Sequence, residues 1–439
     1  MSNTDLLKTI ERVLALAKTR GATAAEADVG TGRGLSVAVR MGEVETVEHQ
    51  RDKGLAVTVY LGQRKGSAST TDFSDQSIEA TVQAACTIAG NTSEDQYAGL
   101  LAPEYLAAEI PDLDLCHPWD ISPEQAIDIA RDCEAAARAM DQRITNSDGA
   151  MLSSYTGSHA YGNSNGFAGG WDWSTHSVDC TLIAEQDGRM QRDGWYTRRR
   201  DYRELDDFAE VGREAARRTV ARLGAKRLST RQVPVIYEAP AAASLFGHFI
   251  GAIAGGALYR KSSFLLDKKG ERIFPGFLQI RERPHIKKGI GSVPFDNEGM
   301  ATSDRDLVRD GVLMGYILSA YSARKLGMEP TGNAGGVHNL LVEPGDRDLD
   351  GLLADMGTGL LITDLIGFGV NQVTGDYSRG ASGFWVENGE IACPVEEITV
   401  AGNLADMYKN IAGIGTDVDK RGNIQTGSVL IEAMTLAGE

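Results

Sequence analysis

Cysteine is scarce in this 439-residue chain and follows no pattern. Cys86, Cys116, Cys133, Cys180 and Cys393 are odd in number, scattered, and make no C-x-x-C pair. That argues against a disulfide framework or a zinc ribbon and fits buried free thiols in a reducing compartment. Positive charge is also short: 44 Lys and Arg against 61 Asp and Glu leave a formal net charge of −17. Sequence-independent binding of DNA or RNA draws on cations that neutralise phosphates, and this balance argues against it. Long apolar runs are missing. The most apolar stretch, around 245–259, is too short for a bilayer, and His248 interrupts it. The opening MSNTDLLKTIERVLALAK is charged throughout and lacks the apolar region of a signal peptide. The expectation is a cytosolic protein with no membrane partner and no direct nucleic-acid partner. Histidine is sparse as well, with seven residues and no two at metal-ligand spacing on a helix. His159 and His176 are the pair placed to converge across a hairpin.

Glycine, by contrast, is abundant: 51 residues imply many turns or close backbone contacts. The first helix is capped by Asn3 or Thr4, carries an apolar stripe from Leu6, Leu7, Ile10, Val13, Leu14 and Ala17, and stops at Gly21. Four short alternating segments follow (GLSVAVRMG, EVETVEHQ, KGLAVTVYLG and KGSASTTD), as in an antiparallel meander. A helix near Asp75–Gly90 turns Ile78, Val82, Ala85 and Ile88 inward. The same order then recurs. Ser122 caps a helix with Pro123 in its first turn and Gln125 at capping-box distance. The strands RITNSDG, AMLSSYTGSHAYGN, HSVDCTLIAEQDG and RMQRDGWYTRRRDY and the helix DDFAEVGREAARRTVARLG come next. The expected fold class is α+β. An N-terminal domain, 1–228, contains duplicated helix–antiparallel meander–helix units at about 1–98 and 118–228, and a mixed-sheet C-terminal domain spans 229–439. The hairpin GFWVENGEIACPV carries Asn388-Gly389 at its tip, the pair suited to a type I′ turn.

Several motifs invite chemistry and yield little. GNSNG, 162–166, has the G-x-S-x-G form of a hydrolase elbow, but no helix follows Ser164. The similar TNSDG at 145–149 makes Asn-Ser-x-Gly read as a repeated turn. GTGRG, GIGSVPFDNEG and GTGLL lack the strand–loop–helix context of a dinucleotide site. Arg198, Arg199, Arg200 and Arg203, followed by Arg213, Arg217, Arg218 and Arg222, read as a solvated face or, alternatively, a surface for an acidic partner. TGNAGGVHN, with His338 and Asn339, and TGDYSRGASGFW, with Asp376, Tyr377, Ser378 and Arg379, combine flexible glycines with compact polar groups. They are candidates for holding a peptide backbone or terminal carboxylate, and equally for locking a buried loop.

The stretch GHFIGAIAGG belongs to a helix that starts after Glu238 with Pro240 in its first turn. Gly247, Gly251 and Gly255 fall at i, i+4 and i+8, one bare face of a helix. Each glycine costs about 1 kcal/mol against alanine, which implies close approach by another backbone. By residue chemistry this is a packing helix.

Through this helix, YRKSSFLLD, VPFDNEGM, YSARKLG, GDYSRGASGFWVENGEI and EITVAGNL, essentially the whole chain resembles the TldD/PmbA family, long described as modulators of DNA gyrase. The C-terminal motifs look like the PmbA/TldE branch. The resemblance implies a zinc metallopeptidase assembly in which a TldD-type chain carries a His-Glu-x-x-x-His helix and a cysteine as third ligand. Counting back from Arg260-Lys261 puts the first histidine at Gly247, the glutamate at His248 and the second histidine at Ala252. All three motif positions are degenerate here, and Cys393 beside Pro394 offers no evident third ligand. The resemblance therefore implies a non-catalytic subunit without a metal or cofactor of its own. A TldD-like partner would supply the zinc, and small or unfolded peptides would be the substrates, as in microcin-type peptide maturation or antitoxin degradation. Two alternatives stay open. One is a homodimeric peptide-binding or regulatory protein without peptidase activity; the other is an enzyme with a rearranged metal site using His248, His285 or His338.

Overall fold

The computed structural model describes residues 3–438. Its N-terminal part runs α1 (Asn3–Thr19), β1 (Ala24–Arg40), β2 (Glu43–Leu61), β3 (Arg64–Thr70) and α2 (Asp75–Asn91). The second unit repeats it with α3 (Pro123–Arg138), β4 (Ile144–Asn163), β5 (Ala168–Gln186), β6 (Arg189–Arg199) and α4 (Phe208–Ala221). The two meanders share one antiparallel sheet of order β3-β2-β1-β4-β5-β6, so the duplication meets at the β1–β4 ladder. Along β1 alternate residues at both ends, Ala25, Ala27 and Val29 and then Leu35, Val37 and Val39, are buried under the helices, while Thr31 and Arg33 between them are not. Two apolar clusters result, one beneath each helix pair.

The strands are longer than the sequence pattern suggests. EVETVEHQ and KGLAVTVYLG form the single strand β2, and RITNSDG and AMLSSYTGSHAYGN the single strand β4. The intervening polar and glycine residues lie on the uncovered face or at bulges, where they break the hydrophobic pattern but not the ladder. TNSDG is accordingly a bulged part of β4, while GNSNG is a true hairpin turn with Gly166 at φ +98°. Ile88 is exposed; Ala89 takes the inward place in α2. α1 already includes Asn3 and Thr4, so neither caps it. The Ser122–Gln125 capping box of α3 forms as expected.

The C-terminal part comprises β7 (Arg231–Tyr237), α5 (Ala239–Ala252), α6 (Gly255–Tyr259), β8 (Ile280–Glu282), β9 (Arg305–Arg309), β10 (Val312–Leu313), α7 (Ala320–Leu326), β11 (Leu340–Val342) and α8 (Leu349–Met356). It ends with β12 (Gly359–Ile366), β13 (Asp376–Glu387), β14 (Glu390–Asn403), α9 (Leu404–Lys409), β15 (Ile411–Ile414), β16 (Ile424–Gln425) and β17 (Val429–Ala437). A mixed sheet of order β14-β13-β12-β7-β17-β15 closes on itself through β14–β17 pairing. α5 packs with one face of it and α8 with the other. The β13–β14 hairpin turns at Asn388 (φ 52°) and Gly389 (φ 81°), as the sequence predicts. A second, smaller sheet has the order β10-β9-β8-β11-β16. Among the described residues no helix is long and apolar enough to cross a membrane, and the five cysteines are free, with Cys116 and Cys393 only half-buried.

The arginine-rich run is not a uniform solvated face. Arg200 donates to the Ile290 carbonyl at 2.7 Å, and Arg222 donates to Ser382 Oγ at 2.7 Å. Arg218 makes a two-pronged pair with Glu238 at 2.7 and 2.9 Å. These side chains clamp the N-terminal sheet to the C-terminal part. Only Arg213 and Arg217 form the expected exposed pairs along their own helix. Because Arg218 and Glu238 are largely withdrawn from water, removing one partner strands the other. Arg218→Leu should therefore lower stability by about 3 kcal/mol in denaturant titration, whereas Arg213→Leu should change it by no more than about 0.5 kcal/mol.

Candidate functional site

The C-terminal sheet and α5 bring His248 together with Tyr377 and Arg379. Glu238 precedes α5, Pro240 lies in its first turn, and Ala242, Leu245, Phe246, Phe249 and Ala252 enter the core. Ser263 Oγ donates to the Ala252 carbonyl at 2.6 Å, satisfying one of the acceptors orphaned at the helix end. The helix then breaks at Ile253, so Gly255 belongs to α6 and does not continue the face of Gly247 and Gly251. Nor is it a neighbouring backbone that comes close. A β-carbon on Gly251 would lie 2.8 Å from Gln372 Nε2, and one on Gly255 would meet Ser322 Oγ. Gln372, on the loop between β12 and β13, donates to the His248 carbonyl at 3.3 Å. A glycine at 251 is what admits that side chain.

Gly247 and His248 are half-buried and Ala252 is fully buried. The His248 ring stands edge-on to Tyr377, centroids 6.0 Å apart. β13 alternates, turning Tyr377 and Arg379 inward while Asp376 and Ser378 are exposed. Tyr377 is 1% exposed, and its hydroxyl comes near Tyr237 and the Arg379 guanidinium without a well-aligned hydrogen bond to either. His248 Nε2, Gln372 Oε1 and Arg379 Nε are likewise buried without a partner. Buried polar atoms are nearly always satisfied, so four in one neighbourhood mark a place completed by water or another molecule. Asp376 accepts from Thr374 Oγ1 at 2.6 Å and Asn403 Nδ2 at 3.2 Å, fixing the start of β13.

His338 and Asn339 lie elsewhere, beside β11. His338 Nδ1 and its backbone N meet Glu282 Oε1 at 2.8 and 2.9 Å, and Arg305 donates to Glu282 Oε2 at 2.7 Å. Burial alone would raise the Glu282 carboxyl, but these partners outweigh it and hold it at about 2. Asn339 has no exposed surface, donating to the Arg283 carbonyl and Ser292 Oγ and accepting from Gly291 N. Both residues thus lock loops together. His159 and His176 do not converge: they pair across β4 and β5 with Trp171 and Ser154 respectively. His159 bonds Asp28 at 2.7 Å and His176 bonds Ser154 Oγ at 2.9 Å. Ser164 Oγ accepts from Ala25 N, a structural role.

A zinc ion does not fit the α5 positions. Gly247 and Ala252 have no side-chain ligand atom, His248 offers an imidazole and no carboxylate, and Cys393 sits across β13–β14 from Trp385. Among the described residues no three of His, Cys, Asp and Glu gather in a metal-holding arrangement, which includes His248, His285 and His338. Gln372 was missed by sequence reading, whereas Tyr377 and Arg379 were among its candidates; the bare Gly251 was the one signal that something lay against the helix.

Burial, and then the Arg379 charge, lower the pKa of His248 below the ordinary 6.5. In a histidine NMR titration its midpoint should fall below that of the free imidazole and rise in Arg379→Gln. Between the depressed folded value and the ordinary one, the unfolded chain binds the proton that the folded chain refuses. The contribution of this group therefore makes stability fall as pH drops through that window.

The same architecture is found in known proteins. Family models match residues 25–89 as PmbA/TldA metallopeptidase domain 1, 116–223 as its central domain and 230–438 as its C-terminal domain. The chain is 50% identical over 415 residues to Metalloprotease PmbA of Escherichia coli O157:H7, covering 94% of this chain and 92% of that one. It is 46% identical over 445 residues to the Metalloprotease PmbA homolog of Haemophilus influenzae, covering 100% and 99%. A Bacteroides thetaiotaomicron protein, solved as a candidate modulator of DNA gyrase, superposes with a TM-score of 0.94 at 28% identity over 98% of each chain. TldE of Thermococcus kodakarensis shares the fold, with a TM-score of 0.84 at 20% identity over 98% of this chain and 99% of that one. This chain belongs to the PmbA/TldD metallopeptidase family.

Proposed function

We propose that the chain is the non-catalytic, PmbA/TldE-like subunit of a cytoplasmic zinc metallopeptidase and works paired with a TldD-like chain. The observation that carries this is the chemistry of α5: at the positions that the resemblance assigns to the metallopeptidase motif, Gly247 and Ala252 offer no zinc donor and His248 no carboxylate. Support comes from full-length similarity to chains named metalloproteases, which ties this fold to peptide hydrolysis although this chain has no metal-holding cluster among its described residues. The partner would supply zinc, its ligands and the base. This chain would close the chamber and hold small or unfolded peptides, with Arg379, Tyr377 and His248 awaiting a polar group, Asp376 and Ser378 at the surface, and His338 and Asn339 fixing the adjoining loops.

The loop carrying Gln372 also exposes Phe368 and Val373, next to the exposed Ile366 at the end of β12, and Phe368 is fully exposed. Three exposed apolar side chains within eight residues suit the face of a partner subunit. The tagged chain, purified at natural abundance from its own cells, should emerge one-to-one with a zinc-bearing homologue that retains His-Glu-x-x-x-His. Phe368→Asp should weaken that association while leaving the melting temperature unchanged. A complex of this chain only with itself, at native mass, would overturn the subunit reading and leave a homodimeric binding protein.

A further inference from the structure

The uncovered face of the N-terminal sheet is a continuous trough. One cavity of about 950 Å³ lies over the middle of β1, and a second of about 760 Å³ lies where the sheet meets the C-terminal part. Both are lined by Asp28 and Ala56, which makes them neighbouring stretches of one channel. Its floor is glycine. Gly30, Gly32 and Gly34 alternate along β1 and face the same side; Gly54 pairs with Gly30 from β2, and Gly157 pairs with Gly32 from β4. At Gly34 and Gly157 the rings of Tyr155 and Trp173 lie where a β-carbon would stand. Above Gly54 there is open space, and above Gly30 and Gly32 nothing comes nearer than 3.9 Å. Glycine weakens a strand interior, so its recurrence on one face points to close approach by another chain.

From Glu26 to Gly34 the trough is roughly 25 Å long at about 3.3 Å per residue, room for about eight extended residues. The interdomain end is acidic. Glu26, Asp28, Asp95 and Glu298 line it, with Lys65 as the lysine among them. Glu26 already accepts from the hydroxyls of Tyr60 and Tyr161 at 3.0 and 2.8 Å. Among the described residues Glu298 accepts one hydrogen bond, from the Ala320 backbone N at 2.7 Å. Burial, with Asp296 and Glu26 beside it, pushes Glu298 up to about 7. The charge of Arg324 acts against this rise, but its guanidinium is bonded to the Tyr97, Gly99 and Leu100 carbonyls, which leaves the Glu298 carboxyl able to take a further cation. Farther along the channel His159 Nδ1 is buried without a partner, while its Nε2 is held by Asp28.

We propose that this trough binds an extended cationic peptide, its backbone along the glycine floor and its amino terminus or a Lys or Arg side chain in the acidic interdomain end. The inference rests on the peptidase-subunit reading and names the class of peptide that the subunit would hold. An aromatic wall and a bare floor accept many side chains, while the carboxylates select for positive charge.

The test uses the purified full chain alone and fluorescence anisotropy. The probe is an unstructured ten-residue peptide with a free amino terminus, two lysines and one arginine, labelled at its C-terminus. The comparison peptide is N-acetylated and carries glutamate at the three basic positions. The cationic peptide should bind at least about tenfold more tightly. Gly54→Phe, whose β-carbon would meet nothing within 4 Å, fills the open floor, and Asp28→Asn and Glu298→Gln remove charge while keeping shape; each should weaken binding about fivefold or more with unchanged melting temperature. Absence of binding, equal affinity for the two peptides, or binding unmoved by all three substitutions would overturn the proposal. Since neither partner nor cleavage enters the assay, such a failure leaves the pairing reading standing, and failure to find a partner leaves the trough result standing.

Discussion

The β1–β4 ladder is the constraint on which the rest of the molecule depends. Each helix–meander–helix unit by itself would present a long unpaired edge, a template for unwanted association. Joining the units at β1 and β4, from Glu26↔Asn163 to Val39↔Ala150, removes both inner edges at once. It also fixes register. A slip of one residue would carry Val29, Val37 and Leu152 from beneath the helices to the uncovered face and bury Asp28 and His159 in their place. With register fixed, the helices cover one face and leave the other as a single surface across six strands. The C-terminal part docks at one end of that surface.

The docking is largely polar. Arginine clamps reach from β6 and α4, and Arg421 returns from the C-terminal part to stack on Trp195, 3.8 Å from its ring centre, and to donate to the Tyr196 carbonyl at 3.0 Å. Planar guanidinium groups suit this use because they hold several acceptors in fixed directions and remain charged at a dry boundary. On the far side of the clamp, α5 keeps its packing role whatever its chemistry. Phe246, Phe249 and Ala252 are core residues, so the helix stays in place without a metal to hold it. The propensity cost of Gly247 and Gly251, about 1 kcal/mol each, is modest beside the burial of two phenylalanines, about 1.5–3 kcal/mol apiece.

Much of this was legible in sequence because it is local. The Ser122–Gln125 box, Pro240, the Asn388-Gly389 turn and the alternation of β1 are set by neighbours a few residues apart. The unity of β2 and β4 was not legible. The open face tolerates glycine and charge, and those are the same residues that announce turns. GTGRG illustrates this: tested against a nucleotide loop it means nothing, but taken two residues at a time it is one face of a strand. The arginine clamps escaped for another reason. Whether Arg218 faces water or Glu238 depends on a docking between residues whose neighbourhood no local pattern encodes. The same holds for Gln372 over Gly251 and for the orphaned polar atoms beside it.

The segment VPFDNEGM shows how a motif can carry physics without being catalytic. Asp296 is buried and accepts from the backbone N–H groups of Glu298, Met300 and Ala334 at 2.9 Å each, so its carboxylate folds the loop around itself. Phe295 is thereby presented edge-on to Phe167 and Trp171, at 4.8 and 5.0 Å, which welds the loop to the end of the N-terminal sheet. Glu298 follows at the mouth of the acidic end, and Gly299 at φ +78° makes the turn beneath the Phe167 ring, where a side chain would collide. Loop closure, domain contact and the charge facing the channel are thus coupled within the five-residue run 295–299, through the carboxylate of Asp296. Substituting Asp296 would release all three together, so the motif is constrained by geometry at the domain boundary.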